Sequence, residues 1–88
     1  MKTTPVSQHE AHDYAERIRA RLPGQLAKSR DAAKMSRYRL EKNCLITDET
    51  IGQIEQGESN PSICVLAQIC HGMGLTLTEF VALLEDGR

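Results

Sequence analysis

The chain has 88 residues, 40% of them apolar, enough for one small domain whose single core is marginal in size and gains from a partner subunit. No apolar run approaches the ~18 residues of a membrane span, and the opening MKTTPVSQHE lacks the hydrophobic segment of a signal peptide, so a soluble cytoplasmic protein is expected. Net charge is −1 and unevenly spread, with seven Lys or Arg against four acids in residues 1–35, three against five in 36–62 and one against three in 63–88. A nucleic-acid binder draws its non-specific affinity from a basic face, and here only the local set Lys28, Lys34, Arg37, Arg39 and Lys42 offers one.

Residues 1–6 read as a disordered tail, after which Ser7 and Glu10 form a capping box opening a helix to about Leu22. Its apolar residues Ala11, Tyr14, Ala15, Ile18 and Leu22 lie on one stripe, which packs on the domain or on a second subunit. Pro23-Gly24 breaks the pattern, and a second helix from about Gln25 to Lys34 turns Leu26 and Ala33 inward. Ser36 caps the next helix, and Thr47 caps a further one over Asp48 to Gln56 that Gly57 stops. Pro61 forbids continuation, and Ser62 caps a helix from Ile63 to about Met73 with Ile63, Leu66, Ile69, Cys70 and Met73 as its core stripe. Gly74 ends it, and a second capping box, Thr76 with Glu79, opens a last helix with Leu77, Phe80, Val81, Leu83 and Leu84 as its apolar set. No strand-like alternation, repeat or low-complexity stretch occurs, so the expected fold is all-α.

The segment from Ser36 to Ser62, SRYRLEKNCLITDETIGQIEQGESNPS, carries most of the functional information. Leu40, Cys44, Ile46, Ile51 and Ile54 are spaced so that two short helices bury a shared seam while the second keeps its outer face free, the layout of a helix-turn-helix. On Ser36, Leu40, Ile46, Thr47, Thr50, Ile51, Ile54, Glu55, Gly57, Asn60, Pro61 and Ser62, in register without a gap, the chain resembles the Xre/Cro family of phage-repressor-like DNA-binding domains from about Leu26 to Leu84. The resemblance implies a five-helix lambda-repressor-like domain over residues 25–88, preceded in residues 1–24 by a tail and an additional N-terminal helix.

It further implies that Arg37 holds a phosphate, that Asp48, Glu49 and Gln53 face base edges, and that Thr50, Ser59 and Asn60 contact the DNA backbone. Gln53 is the best base reader, because its amide can pair bidentately with adenine. Asp48 and Glu49 suit the first helical turn in any case, where acids meet the positive end of the helix dipole, an effect of about 0.3–1 kcal/mol. Lys28, Arg39 and Lys42 join Arg37 as candidate phosphate contacts, and the resemblance implies a salt bridge between Arg30 and Glu55 that fixes the recognition helix. Two residues depart from the family pattern. Glu41 stands where a small residue is usual and is expected to wedge the helices apart; Leu45 replaces the usual turn glycine, at a cost of about 1–2 kcal/mol if left-handed. Gly52, inside the recognition helix, costs about 1 kcal/mol against Ala and implies close packing or close approach to DNA.

Other chemistry finds little footing. His9, His12 and Asp13 share a helix without forming HExxH. Cys64 and Cys70 lie about 240° apart around their helix and cannot chelate one ion together. Cys44 and Cys70 fall at core positions, and reduced thiols are expected. No nucleophile with an orienting base occurs, so neither an enzyme nor a metal or cofactor site is expected.

The expectation is therefore a sequence-specific DNA-binding regulator, a repressor by steric occupancy, working on double-stranded DNA as a homodimer through Phe80, Val81 and Leu84 or through Tyr14 and Ile18. The rival is a protein-interaction module on the same fold with DNA binding weak or lost, favoured by Glu41, Leu45, Asp48 and Glu49. A basic rim shared by Lys28, Arg37, Arg39, Lys42 and Gln53 favours DNA, and dispersal of those cations favours the module.

Overall fold

A computed structural model describes residues 7–86 of the chain as five α-helices, with no strand among them. They are α1 (Gln8–Ala32), α2 (Arg37–Cys44), α3 (Asp48–Glu55), α4 (Ile63–Gly72) and α5 (Leu77–Asp86). The expected tail, residues 1–6, lies outside the described residues.

The N-terminal residues of α1 to α4 are capped as their sequences require. The side chains of Ser7, Ser36, Thr47 and Ser62 accept from the backbone N–H of Glu10, Arg39, Thr50 and Val65. At α5 the Thr76 and Glu79 capping box is complete in both directions, at 3.1 and 2.8 Å. At Ser7 only the cap forms, because Glu10 bonds the Ser7 hydroxyl instead of its N–H. Gly57 and Gly74 take the left-handed conformations that stop α3 and α4. Lys34 and Leu45 adopt the same region without being glycine, φ 61° and 63°, and Leu45 donates its N–H to the Glu41 carbonyl at 2.9 Å.

One expectation fails outright. Pro23-Gly24 does not break the chain: the two helices expected on either side are a single 25-residue helix, α1, with Pro23 inside it. The additional N-terminal helix is thus the leading part of α1, and residues 24 and 25 sit within one element. Continuity of the buried stripe accounts for this. Leu22, Gln25, Leu26 and Ser29 form a continuous inward face across the Pro-Gly pair, with half-buried Ile18 one turn earlier. Arg21 adds two hydrogen bonds to the carbonyls of Leu84 and Glu85 at the end of α5, 3.0 and 3.1 Å, and the Tyr14 hydroxyl donates to Glu85 at 2.7 Å. Packing on α5 thereby outweighs the local preference of two residues.

The core joins all five helices through Leu22, Leu26, Leu40, Cys44, Ile51, Ile54, Leu66, Ile69, Cys70, Met73, Phe80 and Leu84. Of the expected seam, Ile46 is only half-buried, and Ile63, expected inward, is 63% exposed because it opens α4 at the solvent edge. Gly72 lets α4 approach α2 closely: a Cβ there would stand 2.7 Å from the Cβ of Cys44. Burial pushes the Cys70 thiol up to about 11, so it stays protonated at neutral pH.

Candidate nucleic-acid interface

α2 and α3 meet through the left-handed Leu45 turn, and two polar links to α2 and one to α1 set the position of α3. Glu41 accepts a hydrogen bond from the Asp48 N–H at 2.6 Å, placing a carboxylate at the positive end of α3. Glu41 therefore ties the two helices together and does not wedge them apart. Arg37, the first residue of α2, approaches Asp48 at 3.7 Å and lies across Gly52, where any Cβ would collide with its Nη1. The glycine leaves room for this flexible side chain in the position it takes here. From the other flank, Arg30 of α1 grips Glu55 bidentately at 2.7 and 3.0 Å and donates to the Met35 carbonyl at 2.9 Å. The bond to Glu55 raises the Arg30 pKa further, and side-chain exposures of 16% and 10% shield the pair from solvent.

These links sort the acids of the region. Asp48, Glu55 and Glu41 are engaged by Arg37, Arg30 and a backbone amide, whereas Glu49 makes no ion pair among the described residues. Ile51, Gly52 and Ile54 turn inward, so α3 leaves outward an exposed Glu49 and, one turn on, a half-exposed Gln53. Thr50 is half-exposed and accepts the Thr47 hydroxyl at 2.9 Å. Beyond α3, Ser59 is half-buried and Asn60 exposed.

The cations are only partly gathered. Residues two apart on a helix point about 200° away from each other. Arg30 reaches α3, so Lys28 faces away from it; Arg37 reaches α3, so Arg39 also faces away from it. Lys42 lies over the ring of Tyr38, 4.8 Å from its centroid, on the solvent side of α2. Tyr38, 60% exposed, went unremarked in the sequence, although its i,i+4 spacing to Lys42 signals the stack. Arg19 went unremarked as well: with Glu16, Ala20 and Pro23 of α1 and Gly57 and Asn60 it lines a groove beside the α3–α4 loop. Only a continuous α1 puts it there. Of the expected dimer residues, Phe80 and Leu84 are consumed by the core, Ile18 and Val81 are half-buried, and Tyr14 is 48% exposed.

Two short helices at a tight turn, the second with a free outer face, define a helix-turn-helix domain. The Helix-turn-helix family model HTH_3 matches residues 26–80, and the chain belongs to that family. An HTH_3 family transcriptional regulator from Vibrio cholerae has a similar crystal structure, with a TM-score of 0.69 and 28% identity over 74% of this chain and 36% of that one. This chain thus corresponds to about a third of that protein's length. The clp gene regulator ClgR from Corynebacterium glutamicum shares the fold, with a TM-score of 0.72 and 18% identity over 80% of this chain and 74% of that one. No curated protein sequence gives a significant match. The family match and the shared architecture establish a helix-turn-helix domain over most of the described residues. No single helix among the described residues is long and apolar enough to cross a membrane.

Proposed function

We propose that the chain is a sequence-specific DNA-binding transcriptional regulator that represses by steric occupancy, as a cytoplasmic homodimer with one α3 in each of two successive major grooves. The observation that carries this reading is the free outer face of α3: Glu49 and Gln53 stand clear while Glu55 is held by Arg30 and Asp48 lies 3.7 Å from Arg37. Gln53 reads a base, with adenine as its natural partner, and Arg37 meets a phosphate at the start of α2. Thr50, Ser59 and Asn60 supply further backbone contacts. Tyr14, Ile18 and Val81 provide apolar surface for a second copy, since Phe80 and Leu84 are already buried.

The dispersal of Lys28 and Arg39 favours the second reading, a protein-interaction module with little DNA affinity. Selection from a random duplex library at several salt concentrations separates the two. A two-fold motif that disappears with Gln53→Ala, and weakens on all sequences with Arg37→Ala, supports the regulator. Absence of enrichment at low salt overturns it in favour of the module.

A further inference from the structure

We infer that Arg19, on the N-terminal extension of α1, is a second phosphate-binding residue that clamps the DNA backbone beside Asn60. This inference rests on the DNA-binding reading above and extends the contact surface beyond residues 26–80, the part of the chain shared with the family.

The continuous helix is what places Arg19. Arg19, Pro23 and Arg30 are spaced by four and seven residues, so they share one stripe of α1. The stripe faces α3 and the loop after it: Arg30 bonds Glu55, and Pro23 Cγ lies 3.8 Å from where a Gly57 Cβ would stand. Arg19 is one turn further along, on the wall of the groove whose opposite side is formed by Gly57 and Asn60. Arg37 lies over the first two turns of α3, at Asp48 and Gly52, while Arg19 stands just past its last turn, at Gly57. The two guanidinium groups bracket the recognition helix.

Arg19 is also free to change partner. Its side chain is 61% exposed, and its ion partner in the structure, Glu16, is 49% exposed at 3.5 Å. An exposed i,i+3 pair of that kind contributes little and yields readily to a phosphodiester, which the planar guanidinium can bind through two donors. The ligand is thus the sugar-phosphate backbone flanking the base pairs that α3 reads. Arg17, about 200° around the helix from Arg19, instead lies over the Tyr14 ring at 5.7 Å and has no access to this groove.

The test measures affinity of the full chain for its selected duplex and for an unrelated duplex as a function of salt, with Arg19→Ala, Arg19→Lys and Arg17→Ala. Arg19→Ala is expected to reduce the steepness of log K against log salt by about 0.9, the release expected of one phosphate contact, and to weaken both duplexes by the same factor. Arg19→Lys restores the slope, and Arg17→Ala leaves it as in the parent. An unchanged slope for Arg19→Ala in a parent that binds DNA overturns the inference alone, as does an equal change for Arg17→Ala. A parent that binds neither duplex at low salt overturns the DNA-binding reading and this inference with it.

Discussion

Replacing Pro23 by alanine should stabilise this protein. In the interior of α1 proline removes the N–H that Arg19's carbonyl would accept and crowds that carbonyl, a cost of about 3 kcal/mol relative to Ala. Its half-buried ring returns part of this: two methylenes at about 0.8 kcal/mol each when fully buried contribute roughly 1 kcal/mol at half burial beside Gly57. The net expectation for Pro23→Ala is a gain of about 2 kcal/mol, or ~8–16 °C in Tm for a domain of this size. Gly24 is exposed with no heavy atom within 4 Å of where a Cβ would sit, so Gly24→Ala should add about 1 kcal/mol through helix propensity alone. Urea and thermal unfolding of both variants, followed by far-UV circular dichroism, measure these gains. If residues 23–24 were a turn joining two helices, alanine would remove a needed break, and stability would stay level or fall. That result would refute the continuous α1, and with it the placement of Arg19.

Further expectations follow from individual contacts. Glu55→Gln should cost about 2–3 kcal/mol, between the ~0.2–1 of an exposed pair and the ~3–5 of a fully buried one, because Arg30 keeps the Met35 carbonyl. A double-mutant cycle with Arg30→Gln reads the coupling, and a value near zero would refute the pairing. Gly72→Ala should destabilise by about 1–3 kcal/mol by forcing α4 away from Cys44 and Leu40, measured as a lower urea midpoint with an unchanged slope. The hydrogen bond from the Thr76 N–H holds the Glu79 pKa below the ordinary carboxylate value. A depressed folded-state pKa means that stabilisation is present above the unfolded value of about 4.3 and is lost as pH falls through the folded one. The stability gap between the parent and Glu79→Gln should therefore shrink from about pH 6 to pH 3, and a constant gap would contradict the sign.

What the sequence hid and what it revealed have the same physical origin. Caps and stops are local: Ser36, Thr47, Ser62, Gly57 and Gly74 act on backbone groups within a few residues, and each marks a helix end in the structure as in the sequence. The spacing that places Leu40, Cys44, Ile51 and Ile54 on one seam is local too, and all four are buried. Pro23 and Gly24 also send a local signal, but there the deciding energy is tertiary. Arg21 and Tyr14 meet α5 more than sixty residues away in sequence, and nothing near residue 23 announces that contact. The same blindness covers Glu41 and Gly52, each unfavourable in isolation, one stabilising the start of α3 and the other making room for Arg37. In each case a residue that breaks a local rule marks a contact between elements. At the α2–α3 junction these contacts neutralise or engage the acids of the recognition helix, leaving Glu49 as the acid on its free face. A segment whose formal charge argues against DNA thus presents an outer face on which Gln53 and one carboxylate stand free, with Arg37 at one end and Arg19 beyond the other.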